Sequence, residues 1–415
     1  MANTESSGMP FVISTSMNKA DPEIRKLIRS HCMLGKNRGR ILHSRRKPVV
    51  QKLLDLEAAA SAVPNKLGSE LSLLRFADSV EPSTLWELLK FTSTSKQMFF
   101  PLERCFDFNV KDRSMFEPLT FDPAYLNAVM FGAQTYLDLV SGQHSSKLSS
   151  VQMLKTIQLL RNRLLSISNG NEQTSSISNP TILVVLTLAH VAHLTGDHIA
   201  AELHLAGLCK IINLRGGIAA FQNAPKLLTE LLRCDISIAI QKGTKPVFDF
   251  NQPLQPLIYL PQTRSYGKDQ YTNLITDKKL AESWDTLSNF CHLVNSAADK
   301  NIKLSDQILL NTMGSVMYAL LGMNFSTTNP INEAIRLGIL AFCSHIFLER
   351  RGIRLPNGYL RENYRSACFE DVPRDNASSS RWFSLWFLMI GKISIFTSDN
   401  HADDDYSAWI KYSYD

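Results

Sequence analysis

No two cysteines in this 415-residue chain lie closer than 25 positions, so there is no Cys-x-x-Cys pair. That absence removes the thiolate cages of structural zinc sites, which such pairs seed. Cys32, Cys105, Cys209, Cys234, Cys291, Cys343 and Cys368 are expected instead as reduced, mostly buried thiols. In a reducing compartment the Asn-x-Ser sequons at Asn324 and Asn376 carry no glycan.

Long hydrophobic runs are scarce as well. The opening MANTESSGMPFVIS has no basic stretch followed by an apolar one, so no signal peptide is expected. The longest apolar segments are ILVVLTLAHVAHL (182–194) and WFSLWFLMIGKISIF (382–396). Each carries His or Lys and is shorter than the roughly 20 residues a bilayer demands. Both read as buried helices, and no membrane partner is expected.

The catalytic signatures are missing too. There is no G-x-S-x-G elbow, no G-x-x-x-x-G-K-[ST] phosphate cradle, no H-E-x-x-H and no G-x-G-x-x-G after a strand. No catalytic residue, metal or cofactor is assigned, and the chain is read as a non-enzyme.

What is present begins with charge. The chain has 44 Lys and Arg against 38 Asp and Glu, a formal charge of +6. Residues 24–52 alone contain ten basic side chains and no acid, so the remainder sums to 6 − 10 = −4. Within that window Lys36, Arg38, Arg40, Arg45, Arg46 and Lys47 have the density of an import-receptor or phosphate-binding patch. A solvated surface is the plainer explanation of the same charges. The organisation expected is a basic arm over 1–55 with one short helix, a hinge within 53–80, and a helical domain over 80–415.

The helical expectation rests on punctuation. Four segments open with Asp-Pro or Asn-Pro and continue apolar at helical spacing, starting at Asp21, Asp122, Asn179 and Asn329. An Asp or Asn side chain accepts a free first-turn amide, and Pro at the first helical position loses no hydrogen bond. Gly142, Gly196 and Gly352 stand where left-handed caps would end three of these helices. Further helices are expected at roughly 147–168, 198–214, 225–241, 281–299, 304–322 and 380–396. Strand-like alternation is confined to FVIS at 11–14, and 246–280 reads as an ordered irregular crossing. The fold class is all-α, an irregular multi-helix domain. GDHIAAELHLAGLCKII (196–212) has the small-residue spacing of a helical-repeat hairpin, but no 34-residue period recurs, so one hairpin is expected and not an array.

His190, His193, His198 and His204 crowd into 15 residues, and one helical turn separates the first pair. A metal site is geometrically conceivable, but no acid is placed to support such ligands, and structural histidines are the expectation. The LRGG at 214–217 closes a helix, where Gly216 or Gly217 can adopt positive φ. The tail 398–415 mixes acids with Trp409 and three tyrosines; a coactivator-binding tail and a frayed last helix are both open readings.

Several blocks in order resemble a known family. FVIST, DPEIRKLIRSHCM and GRILHSRRK look like the opening of fungal regulators of the zinc-cluster transcription factor superfamily. HLAGLCKIINLRGGI (204–218) is similar to that family's His-x-x-Gly-Leu-x5-Leu-Arg-Gly-Gly block. LLRCDISIAIQKGTKPVF (231–248) resembles the Asp-containing helix with a Gly-x-x-Pro-x-Phe exit, and RLGILAFCSHIFLERRGIRLP and RWFSLWFLMIGKISIF resemble C-terminal helices. The likeness implies an all-helical regulatory domain, residence in the nucleus and a role in secondary-metabolite gene clusters. It also implies contacts with transcription machinery or other regulators. The six-cysteine binuclear zinc cluster of the family has no counterpart here. DNA is therefore expected only as a non-specific partner of the arm. A helical scaffold or ligand-sensing module without a transcriptional role is the alternative.

Overall fold

At Asp122, Asn179 and Asn329, each followed by Pro, a helix begins in the computed structural model. The structure describes residues 76–78, 100–108, 113–142, 146–168, 178–248, 250, 274–350, 353, 355, 357–370 and 378–396. All of them belong to one unit, Pro64–Asp415. The basic arm with Lys36, Arg38, Arg40, Arg45, Arg46 and Lys47, the helix expected from Asp21, the FVIS strand, Gly352 and the tail 398–415 lie outside the described residues. So do most of the hinge and the crossing segment 251–273.

Ten α-helices run through the described residues: α1 Pro123–Val140, α2 Lys147–Ser168, α3 Asn179–Leu194, α4 His198–Leu214, α5 Pro225–Lys242, α6 Lys278–Asp299, α7 Asp306–Gly322, α8 Pro330–Cys343, α9 Gly358–Glu370 and α10 Ser378–Ile390. The only strands among them are β1 Phe106–Asp107 and β2 Leu304–Ser305, paired in parallel. The fold is all-α.

The caps follow the expected chemistry with three displacements. Asp122 accepts the Tyr125 amide at 2.9 Å and Asn329 accepts the Asn332 amide at 3.0 Å, each with Pro following. At α3 the cap is Ser178 and not Asn179. Asn179 is drawn away instead, because its side-chain oxygen accepts from Arg215. The helix expected from 304 starts at Asp306, since Ser305 caps it and Leu304–Ser305 is the strand paired with β1. The helix expected from 281 begins three residues earlier, where Asp277 accepts the Leu280 amide at 2.9 Å. Gly142 and Gly196 have φ of 66° and 79°, in the left-handed region that ends a helix.

Consecutive helices pack as pairs: α1 on α2, α3 on α4, α6 on α7 and α8 on α9. The α3/α4 pair is the single hairpin anticipated at 196–212. Helix α5 runs between these pairs, touching α3, α4, α7 and α9, and most of its length is buried. One close approach fixes the seat of α10 on α8. A Cβ added at Gly338 would lie 2.5 Å from the Trp386 ring, so only glycine admits that indole. Beside it the Tyr364 ring of α9 stacks on Phe387 with centroids 4.1 Å apart.

Helix α8 does not run on to Gly352. It ends at Cys343 and passes into a π-helical turn, Ser344–Leu348; a second such turn, Gly391–Ile395, follows α10. The continuous stretch Pro330–Leu348 is 19 residues long and apolar enough, by length and composition, to cross a membrane. In this fold 78% of it is buried, as a core helix requires. It also carries Arg336, buried with its Nε donating to Glu333 at 2.9 Å and Nη1 to the Leu320 carbonyl at 3.1 Å.

Candidate functional site

The strongest polar features sit on α5, in the RCD triplet 233–235. Arg233 is held on a buried face, and its guanidinium is placed by three acceptors: the Phe347 carbonyl at 3.0 Å, Glu103 at 2.6 Å and Glu230 at 2.9 Å. The same group lies 3.6 Å from the centroid of Phe100. Residues about 115 to 130 positions apart in sequence are thus tied to one cation. Burial alone pushes the Arg233 pKa down, but the two carboxylates outweigh it and the net direction is up. A cation so enclosed is a structural tie, with Nε and Nη1 both committed to protein acceptors.

Asp235, two positions on, is wholly buried. Its carboxylate accepts the amides of Val247 and Phe248, both at 2.8 Å, and the Tyr318 hydroxyl at 2.7 Å. Burial raises its pKa, while those three hydrogen bonds oppose the rise. Pairing the Asp of one block with the Phe that ends it gives the pattern Asp…Gly-x-x-Pro-x-Phe a mechanical content. The carboxylate turns the chain back against the helix it has just left.

The LRGG turn is equally definite. Gly216 and Gly217 both have positive φ, 97° and 82°. The Gly217 amide reaches the Ile212 carbonyl and the Gly216 amide the Asn213 carbonyl, both at 3.0 Å, closing a Schellman cap. Arg215, between helix and glycines, lies 4.6 Å over the Phe221 ring.

The four histidines do not converge on a metal. Among the described residues no group of three or more His, Cys, Asp or Glu side chains is placed to hold one. His193 is buried, with Nδ1 2.7 Å from the Gln241 side-chain oxygen. Burial pushes His190 down to about 3 and His193 down to about 4, so both are neutral imidazoles at ordinary pH. His198 is exposed and His204 half-buried. The six described cysteines are free thiols, three of them buried.

Helix α2 is turned against its composition. Ser149 and Thr156 are buried and Arg163 points inward, donating to both oxygens of Asp122 at 2.7 Å. Leu148, Val151, Leu154 and Leu165 are exposed on the outside, Leu154 by 67%. Periodicity shows that a helix has two faces; here the ionic tether to Asp122 decides which one is inside.

A polar cleft of about 400 Å³ opens where the two π-helical turns meet the start of α9. No single window of sequence displays it, because its residues come from four segments. His198 comes from the start of α4, Ser344 and His345 from the first π-turn, Ser394 and Ile395 from the second, and Asn357 and Arg361 from the α9 start. His345 Nδ1 is hydrogen-bonded to Glu349 one turn on, and that bond raises the imidazole pKa against the effect of burial. Asn357 donates to Ser344 Oγ at 3.2 Å. Its own Oδ1, like Ser394 Oγ, is buried without a hydrogen-bond partner. Among the described residues the His345 ring is hydrogen-bonded to Glu349 and to no hydroxyl.

The chain matches no protein-family model, and neither curated proteins nor solved structures give a significant match.

Proposed function

We propose that the protein is a fungal nuclear transcription regulator-like protein whose helical body is a regulatory domain working without a zinc-cluster reader of its own. Its partners are transcription machinery or other regulators, and its target class is a secondary-metabolite gene cluster. The observation that carries the reading is the Asp235 clamp on Val247 and Phe248. It supplies a physical reason for the Asp…Gly-x-x-Pro-x-Phe block, the longest-range pattern in the resemblance to the zinc-cluster superfamily. The Schellman cap at Gly216 and Gly217 does the same for Leu-Arg-Gly-Gly. The apolar outer face of α2 supports a domain that works through protein contacts.

A second reading, a ligand-sensing helical module with no transcriptional role, is favoured by the polar cleft at the π-turns. Location separates the two. Tagged full-length protein is expected to accumulate in the nucleus and associate with chromatin, and neutralising Arg45, Arg46 and Lys47 together to reduce both. Exclusion of the parent protein from the nucleus would overturn the first reading and leave the second. On duplex DNA the purified chain is expected to bind without sequence preference at about 10⁻⁴ to 10⁻⁶ M in physiological salt, through phosphate contacts alone.

A further inference from the structure

We infer that the outward face of α4 is a self-association surface, on which a second copy of this chain packs its own α4 antiparallel. The inference goes beyond the regulatory reading and does not depend on it, since purified protein associates or not whatever its role in the cell.

The three most exposed large hydrophobic side chains among the described residues are Ile199 at 76%, Leu214 at 73% and Leu203 at 68%. All three belong to α4. The same helix seats Ala201, Leu205, Leu208 and Ile212 in the core, where it packs on α3 and α5. At about 100° per residue, Ile199, Leu203, Ala206, Lys210 and Leu214 fall together on the opposite side. A helix that is apolar on two faces is normally enclosed on both.

The hairpin shows what kind of neighbour is missing. The α3/α4 pair has the small-residue spacing of one helical repeat, and no second repeat follows it in the sequence. In repeat arrays each unit hands its outer face to the next, and a terminal unit stays soluble because that face is polar. Helix α4 is terminal and lacks the polar face. A second copy of the hairpin supplies the neighbour.

Spacing and charge select the occupant and its direction. Ile199, Leu203, Ala206 and Lys210 follow at steps of four, three and four, the interval at which two helices interlock along a seam. Parallel pairing would bring Lys210 against the partner's Lys210. Antiparallel pairing centred between Ala206 and Gly207 sets Ile199 opposite the partner's Leu214 and Leu203 opposite the partner's Lys210. Two small residues then lie at the crossing, where the backbones approach.

In that register the stem of Lys210 covers the partner's Leu203 and its ammonium lies beside the partner's Glu202. Among the described residues Lys210 has no ionic partner. Glu202 accepts from Lys242 at 2.6 Å through one oxygen and keeps the other open. Two-fold symmetry makes the contact twice. Helix α2, the other exposed apolar face, has four basic side chains and no acid, so charge opposes a second copy there.

The test is sedimentation equilibrium of the purified full chain in reductant. One helix pair is a small interface, so the expected dissociation constant is weak, about 10–100 μM, and the average mass should rise toward twice that of the chain across this range. Leu203→Glu puts a charge into the seam and should weaken association by at least about tenfold. Lys210→Glu sets a carboxylate against the partner's Glu202 and should weaken it by about tenfold, and adding Glu202→Lys should restore most of the parent affinity. These positions are exposed in the single chain, and an unchanged far-ultraviolet spectrum checks each fold. Leu154→Glu, on the outer face of α2, is the control and should leave association unchanged. A parent that stays monomeric at about ten times the upper constant would overturn the inference. So would a dimer that survives Leu203→Glu, or one that Leu154→Glu dissociates, since the interface would then lie elsewhere. Failure of the Glu202→Lys, Lys210→Glu pair to restore affinity would overturn the antiparallel register.

Discussion

The carboxylate of Asp235 lies 2.8 Å from the backbone amide of Phe248, joining the middle of a buried helix to the chain 13 residues further on. The Val247 amide and the Tyr318 hydroxyl complete its acceptor set. A carboxylate without solvent is stable only because all three donors aim at it.

Removing that carboxylate strands its donors. Asp235→Ala is expected to destabilise the protein by about 3–5 kcal/mol, since two amides and one hydroxyl lose their acceptor in an interior closed to water. Tyr318→Phe removes one donor and leaves the rest in place, at a cost of about 1–2 kcal/mol. Denaturant melts of the two variants check the order. Equal and small losses would mean that the exit at 247–248 is held by something else.

Exposure decides the worth of an ion pair in the same molecule. Arg233 and Glu103 are 4% and 7% exposed at the side chain, whereas Lys155 and Asp78 are 46% and 30% exposed at the same 2.6 Å separation. Glu103→Ala leaves a buried guanidinium with one carboxylate fewer and is expected to cost about 3–5 kcal/mol. Lys155→Ala should cost less than about 1 kcal/mol, because solvent screens the pair it breaks. Chemical denaturation of both variants gives the comparison directly.

Much of this architecture is legible before any coordinates. Asp122 and Asn329 followed by Pro, and Gly142, Gly196 and Gly216–Gly217, mark helix ends by local chemistry, and local chemistry is what a sequence displays. Helix α9 was not anticipated. Its inward face is Leu360, Tyr364, Ala367 and Cys368, two of them weakly apolar, on an otherwise polar segment. The two π-turns are equally hidden, since nothing in SHIFL or GKISI distinguishes a wide turn from a continued helix until neighbours press on it. Ser178 and Asn179 are both competent caps, and only Arg215, 36 residues away, decides between them. The cleft and the Arg233 centre share this character. Each is assembled from segments far apart in the chain, so no window of sequence contains it.

Acid should destabilise the fold through its buried imidazoles. His193 falls from an ordinary value of 6.5 to about 4, first because burial disfavours its charge, with Gln241 opposing and Arg350 and His198 adding to the fall. The unfolded chain therefore binds a proton below about pH 6.5 that the folded chain refuses. The stability this group contributes is complete above 6.5 and is lost as pH drops toward 4. Between pH 7.5 and 5 the loss from His193 alone is about 2 kcal/mol. His190, at about 3, adds a loss of the same sign. His345 runs the other way, since its raised pKa gives stability that disappears as pH rises through its folded value. The measurement is the difference between parent and His193→Gln in denaturation midpoints from pH 5 to 7.5. A flatter profile in the variant is expected; parallel profiles would show that His193 titrates normally in the fold.

One substitution, Gly to Ala, should have opposite signs at two positions ten residues apart on the same helix and its cap. At Gly217 φ is 82° and ψ −175°, a conformation that glycine adopts freely and an L-residue does not. A Cβ there would meet nothing within 4 Å, so the penalty is conformational and not a clash. Gly217→Ala is expected to destabilise by about 1–3 kcal/mol, and Gly217→Val by at least as much. Gly207 lies within α4, between His198 and Leu214, again with nothing within 4 Å of an added Cβ. There alanine narrows the unfolded ensemble and suits the helix, so Gly207→Ala should stabilise by about 0.5–1 kcal/mol. Paired thermal melts read both signs at once. Destabilisation at Gly207 would reveal a partner on the half-buried face of α4. A neutral result at Gly217 would place the end of the helix elsewhere and remove the Schellman geometry from the Leu-Arg-Gly-Gly turn.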